Sequence, residues 1–514
     1  MGWVETRPII LSCTSAVVVF VLWALYGAYV WPRFLSPLRH LPRAKAGFPL
    51  LGYGLAQFLD RRGDAYLRMA QTIPNDGLIY FQGFWNADHL LLTSAEALAE
   101  VLVHRYSSFT KAPAARSVLR RLLGDALLIS EGEDHKRMRR QANPAFSYRS
   151  MLDLVPVFWS KAIDMTDMIE AKSCGQGSRN VDVWDISTKA TLDTIGLAAV
   201  GKDFDTMREP HELEHLYDTL FNPSLQMSLF FAANAALPPW ALRLFFGRIV
   251  RQVARDRSRL DEICRGLVHE MKKSSDEGNS ILRRLAQSGT SEEELATHLL
   301  MTIGAGFEPT AGAFCWVLWY LASHQDWQLR LREELRTNLP HRLFAPDGRL
   351  FDAGAALAKL PVLNAICNET LRFLPPSPNT SRVPPHDTTI LGNHVRAGTR
   401  IYIVPGAINR MEEFFGPDAD TWDPSRWIDQ DTGKANKHGG ATTNYAFSTF
   451  LHGPRRCLGQ GYATIAVSTF VAAFAGRFEF EMADPDDVPE PSGFTTVRPW
   501  LGLDMKLQPV PAWE

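Results

Sequence analysis

From Pro8 to Trp31 the chain carries no charge and is rich in Ile, Val, Leu and Trp. A helix of that length spans the ~30 Å of hydrocarbon in a bilayer, and it exceeds the roughly 7–15 apolar residues of a cleaved signal peptide. The pattern predicts one transmembrane anchor over residues 8–31, preceded by a short tail over 1–7. Pro32, Pro37, Pro42 and Pro49, with Gly47, Gly52 and Gly54, mark residues 32–54 as a stiff hinge that the helix cannot enter. Leu78 to Gln82 and His89 to Thr93 read as short strands joined by a turn over residues 83–88.

Beyond the second strand a helical period dominates, broken by polar or Gly-rich stretches near residues 173–180, 274–279 and 430–443. No repeat or dividing linker is visible, so residues 55–514 read as one mainly α body with small β-sheets. One helix stands out. Thr290 and Ser291 precede Glu293 and Glu294 as in a capping box, and the apolar pattern continues to about His324. At ~1.5 Å per residue it would be about 50 Å long. It is apolar nearly all round, hence buried, yet holds Gly304, Gly306 and Pro309 at its middle, all poor helix formers. A buried helix that breaks its own rules midway marks a candidate functional site. Residues 229–246 gather aromatics around Pro238 and Pro239, either as ordinary core or as an apolar loop that dips into a membrane surface.

The 54 Lys plus Arg against 56 Asp plus Glu leave no electrostatic footprint for nucleic acid, and 46% hydrophobic content excludes disorder. The local balance says more. Arg33, Arg39, Arg43 and Lys45 follow the anchor while only Glu5 and Arg7 precede it, which places the body in the cytosol. The cysteines Cys13, Cys174, Cys264, Cys315, Cys367 and Cys457 form no CxxC pair, which suits a reducing compartment. Most read as small buried hydrophobes; Cys457 is the exception.

Cys457 lies in Phe450-Leu-His-Gly453-Pro-Arg455-Arg-Cys457-Leu-Gly459. A thiolate that ligates haem iron needs N–H groups aimed at the sulfur, tight turns, a cation for a propionate and an aromatic against the macrocycle. Gly453 and Gly459 offer the turns, Arg455 the cation and Phe450 the aromatic. The helix beginning near Gly461 offers an N-terminus that favours an anionic sulfur. The run resembles FxxGxRxCxG, the signature of the cytochrome P-450 superfamily, at every fixed position. Glu369-Thr-Leu-Arg372 resembles that family's ExxR helix, and Trp422-Asp-Pro-Ser-Arg426-Trp its later arginine segment. The resemblance implies a buried network of Glu369, Arg372 and Arg426 behind a haem b whose iron is ligated by Cys457.

Gly132-Glu-Asp-His135-Lys-Arg-Met-Arg139-Arg resembles the family's WxxxR helix, with His135 in place of Trp. His135 and Arg139, four apart, share a helix face. The resemblance assigns both, with Arg382 of Thr380-Ser-Arg-Val-Pro, to the haem propionates. Lys136, Arg137 and Arg140 read either as solvated charges or as a docking patch for an acidic reductase. Ala305-Gly306-Phe-Glu308-Pro309-Thr310 resembles the oxygen-activating AGx(D/E)T segment, except that Pro309 follows the acid and threonine comes one place later. Proline has no N–H for the Ala305 carbonyl, so a kink and a free carbonyl are expected there. Glu308 is the candidate acid, or else a plain buried carboxylate. Thr310 lies about 100° further round the helix, and an ordered water or a substrate hydroxyl are the alternatives to it as proton donor.

The resemblance implies the cytochrome P-450 fold behind one transmembrane helix, in the endoplasmic reticulum membrane with the catalytic domain in the cytosol. It implies electrons from NADPH through a separate NADPH–cytochrome P-450 reductase, and one oxygen atom of O2 inserted into an apolar small molecule. Residues 135–146 and 384–392 resemble fungal members, many of which tailor terpenoids, polyketides or alkaloids. A haem-thiolate enzyme that uses or rearranges peroxide is the alternative that Pro309 motivates; a haem carrier or sensor is the third. Substrate-facing positions are expected within residues 111–127, around Ile303 and Phe307, near 377–380 and around Phe494.

Overall fold

The computed structural model describes residues 6–45, 50–56, 64–173, 180–221, 224–274, 278–344, 354–493, 496–511 and 513; Phe494 lies outside them. Helix α1, Thr6–Leu25, continues directly into a π-helical stretch, Tyr26–Leu35. Val18–Leu35, with a mean hydropathy of 1.5, is the one segment among the described residues long and apolar enough to cross a membrane. Pro32 was expected to end the helix and does not. In a π turn residue 32 would donate to the carbonyl of residue 27, and the wider turn keeps the proline ring clear of it. Gln82 supplies the missing donor, its Nε2 reaching the Gly27 carbonyl at 3.3 Å. The helix end is docked on the body: Trp31 Nε1, Ser36 Oγ and Tyr80 OH donate to the Asp88 carboxylate at 3.0, 2.8 and 2.7 Å.

Asp88 opens β2 (Asp88–Leu92), which pairs antiparallel with β1 (Leu78–Gln82) in the register Leu78 opposite Leu92. The strands fall where the β-branched and aromatic run predicts. Across from them, β3 (Thr380–Arg382) pairs antiparallel with β4 (Arg400–Ile403), and β4 runs parallel to β2, giving the order β1-β2-β4-β3. Helix α2 is Gly132–Ala142, α3 Leu225–Ala236 and α4 Pro239–Lys273. The long central helix is two helices, α5 (Glu292–Gly306) and α6 (Glu308–Ser323), broken at Phe307. Gly306 and Pro309 flank that break, and they are the residues least able to hold a helix together. Ser291 caps α5 by accepting from the Glu294 N–H at 3.2 Å. The reciprocal half of the capping box is missing because the Glu294 carboxylate turns to Arg137 at 2.7 Å.

Helices α7 (Pro361–Phe373) and α8 (Gln460–Arg477) pack against α6. Leu299, Ile303 and Phe307 lie in one apolar core, and Phe314, Trp316 and Leu318 in another with Phe470 and Phe474 of α8. The central pair thereby threads both cores, each buried side chain contributing ~1.5–3 kcal/mol.

Candidate functional site

The loop before α8 is bent by two left-handed residues, Leu451 at φ 57° and Gly453 at φ 73°. A Cβ at Gly453 would collide with the Leu102 carbonyl oxygen, so the turn requires glycine. The bend lets the Cys457 N–H donate to the Phe450 carbonyl at 2.8 Å. Gly459 has a different part from the one its sequence position suggests. Its φ is ordinary, −85°, and a Cβ there would meet no atom within 4 Å. What it supplies is an N–H that donates to the Cys457 sulfur. Gly453→Ala is therefore expected to lower stability by about 3 kcal/mol or more. Gly459→Ala should stay within ~0.5 kcal/mol. Urea unfolding of the two variants checks this, and equal losses would contradict it.

Cys457 is exposed, yet burial pushes its thiol above the ordinary value while the Gly459 N–H and the Arg139 guanidinium pull it down. An accessible sulfur in a desolvating setting belongs to the wall of an internal cleft. Ala305 on α5 is likewise exposed beside buried Gly304 and Ile303. Ile303 and Phe307, around which substrate contacts were expected, are themselves buried, with Phe307 edge-on to Tyr217 at 5.6 Å. Phe450 is half-buried and packs against the α6–α8 core.

Beside the loop the structure gathers cations. Arg382 of β3 is 2% exposed and His135 of α2 is 5% exposed. Arg455 donates to the Ser130 carbonyl at 3.1 Å and pairs with Glu131, but its buried Nε has no partner. Burial and then Arg455 lower Arg382 to about 10. Burial, followed by Arg455, Lys111 and Arg139, brings His135 down to about 4, so its imidazole is neutral. Lys111 falls to about 7 through burial, Arg382 and Arg455. Lys111 was expected among the substrate contacts and Glu131 had no expected role, because neither stands in a recognisable motif. Three cations face one carboxylate, and an excess of buried positive charge is unstable without anions to match it. The two propionates of a haem are such anions, so these residues fit that group.

Arg139 acts on His135 of that cluster and is hydrogen-bonded to the ligand loop. Its Nη1 donates to the Arg456 carbonyl at 2.7 Å and its Nε to Asn143 Oδ1 at 2.9 Å, bracing the chain next to Cys457. On the same helix Lys136 is paired with Glu133 at 2.6 Å and Arg137 with Glu294 at 2.7 Å. Arg140 and Arg456 are both exposed, and Arg140 also helps to lower the Glu133 carboxyl, after Lys136.

Behind the loop, Glu369 and Arg372 are fully buried and form a two-point pair at 2.7 and 2.8 Å. Arg426 Nε, Trp427 Nε1 and the Asp423 N–H also donate to Glu369, at 3.0, 2.9 and 2.8 Å. The remaining N–H groups of Arg372 reach the carbonyls of Asn409, Ala419 and Thr421 at 2.8, 2.6 and 2.9 Å. Asn409, unmarked by any sequence signal, carries the connection onward. Its amide donates to the Arg372 carbonyl and to Thr449 Oγ1, and its oxygen accepts the Ser448 N–H at 2.7 Å. The buried pair is thus wired to the residues just before Phe450.

On the central helix Thr310 donates its hydroxyl to the Gly306 carbonyl at 2.6 Å. Glu308 is buried with Arg498 at 3.6 Å, and Arg498 also lies 3.8 Å from Asp218. Arg498 was not anticipated; it stands far along the chain and only the tertiary fold delivers it. Burial raises the Glu308 carboxyl above its ordinary 4.5, opposed by Arg498 and a hydrogen bond from Thr496. A raised carboxyl contributes stability below its unfolded value and loses it as pH rises through the folded one. The stability of Glu308→Gln relative to the native chain should therefore rise as pH climbs above 4.5 and level off once the native carboxyl is ionised. Denaturant unfolding between about pH 4 and 8 tests this; a flat difference would mean that Glu308 titrates normally.

The family model Cytochrome P450 matches residues 42–504. The chain is similar to cytochrome P450 monooxygenase abl5 of Leptosphaeria maculans, 41% identical over 99% of this chain and 94% of that one. It is similar also to cytochrome P450 monooxygenase sphH of Aspergillus fumigatus, 37% identical over 95% of this chain and 91% of that one. Cytochrome P450 monooxygenase ptmK of Penicillium ochrochloron is 34% identical over 96% of this chain and 98% of that one.

Proposed function

The chain belongs to the cytochrome P450 family, and we propose that it is a monooxygenase anchored in the endoplasmic reticulum membrane, acting on an apolar intermediate of fungal secondary metabolism. Haem b supplies, when bound, the reductive activation of O2. Cys457 is the iron ligand, held by the Phe450 carbonyl and the Gly459 N–H. Arg382, Arg455 and His135 hold the propionates, and Arg139 braces the ligand loop. The observation that carries the reading is the buried group of cations beside an accessible cysteine sulfur.

Glu308 keeps a proton available on the central helix, with Arg498 and Thr496 fixing its carboxyl. Thr310 is tied to the helix backbone, so a water held near the Ala305 carbonyl, which Pro309 cannot satisfy, takes the place of the usual alcohol. Pro309→Thr is expected to change the peroxide released per NADPH consumed; unchanged coupling would remove the proline from the account.

Electrons come from NADPH through a separate reductase that meets the Arg140 and Arg456 face. The deciding experiment expresses the full chain with a fungal reductase and follows NADPH, O2 and product across a panel of terpenoid, polyketide and alkaloid precursors. Product that requires NADPH and O2, with the carbon monoxide spectrum of sulfur-ligated haem, supports the proposal. Turnover on peroxide with none on NADPH and O2 sinks it.

A further inference from the structure

The segment before α2 offers three successive carbonyls to three cations. Leu128 accepts from Lys111 Nζ, Ile129 from Arg116 Nε at 3.2 Å and Ser130 from Arg455 Nη1 at 3.1 Å. Next along the chain, Glu131 accepts the Lys111 N–H at 2.9 Å and pairs with Arg455. Arg116 thereby joins the cation cluster described above. Burial is the first cause that lowers Lys111 and Arg455, and the Arg116 charge adds to it in both. The Arg116 guanidinium makes no ion pair among the described residues, whereas Arg120, one turn on, has Asp125 at 2.7 Å. Arg116 is half-buried near the start of the helix Pro113–Leu123. That helix packs against α3, α4 and α5, the last of which carries Ala305.

We propose that Arg116 binds a carboxylate on the substrate, so that the apolar skeleton carries an acid group and presents it next to the propionate-binding cations. This rests on the monooxygenase reading above and narrows its substrate class. With haem bound, the charges here do not close without one more anion. Lys111, Arg116, Arg382 and Arg455 bring four positive charges, because propionates beside Lys111 favour its charged form. Glu131 returns one and the propionates two, which leaves one positive charge even with His135 out of the count. An unanswered cation in a partly desolvated place is costly. A single leftover charge matches a carboxylate and is overfilled by a phosphate, and the guanidinium fork takes both carboxylate oxygens.

The test uses the full haem-loaded chain with ω-(imidazol-1-yl)alkanoic acids of increasing chain length and with their methyl esters. In both series the imidazole ligates iron and shifts the haem absorption band, so a difference between them reports the carboxylate. At one chain length the acid is expected to bind at least about tenfold more tightly than the ester, the weight of a charge-assisted pair. Arg116→Gln should abolish that preference, Arg116→Lys should keep part of it, and Arg120→Gln should leave it whole. Haem content should stay at the native level in all three variants. Acids no tighter than esters at every chain length overturn the inference, as does a preference that survives Arg116→Gln. Loss of haem from Arg116→Gln overturns it too, because the arginine then serves a propionate. A native chain that takes up no haem overturns the monooxygenase reading as well.

Discussion

Glu369→Ala is expected to destabilise the protein by ~3–5 kcal/mol, the cost of leaving buried charge unpaired. The alanine removes the acceptor of five hydrogen bonds and leaves the buried Arg372 and Arg426 without their shared carboxylate. Against a total stability of about 5–15 kcal/mol, that removes between roughly a fifth and the whole of the margin, and the expressed chain should be partly aggregated and poor in haem. Because Arg372 leads through Asn409 to Ser448 and Thr449, the surviving fraction should also hold haem loosely. A double variant that makes both Glu369 and Arg372 apolar should lose less than the sum of the two single losses, since no buried charge remains between them. Urea unfolding and haem content measure all three, and a Glu369→Ala protein within about 1 kcal/mol of native would show that the pair is dispensable.

Cys457→Ser should have the opposite profile, with the fold intact and the chemistry gone. The backbone bond to Phe450 does not depend on the sulfur, and a serine hydroxyl can still accept the Gly459 N–H. Thermal unfolding of the apoprotein is therefore expected within a few degrees of native, a shift of about 1 kcal/mol or less. NADPH-dependent product should fall by at least about 100-fold, and the carbon monoxide band of sulfur-ligated haem should disappear. Retention of that band would mean that some other residue holds the iron.

The contrast between these two variants follows what was legible in the sequence. The loop around Cys457 was readable because several residue types with distinct requirements fall within ten positions. Glu369 and Arg372 could be placed on one helix, and the prediction of a buried network with Arg426 came from the family resemblance. Asn409, Glu131, Lys111 and Arg498 were not legible in those roles. Each acts through a partner brought near only by tertiary folding, and a single Asn or Lys outside a periodic pattern has no local signature. The central helix was read correctly in extent and in where it falters, but local propensity did not say that it would split at Phe307. Gly459 shows a different failure: a glycine between turn residues suggested conformational need, and the backbone proved ordinary.

Pro32 failed as a helix stop because a distant side chain, Gln82, replaced the donor it lacks. With Trp31 and Ser36 held on Asp88, the apolar helix is a bracket bolted to the first sheet instead of a leash. Under the anchoring proposed above, such a bracket sets the tilt and height of the body above the lipid. On that proposal the reductase approaches at a fixed elevation, and an apolar substrate leaving the bilayer meets the same face of the protein each time.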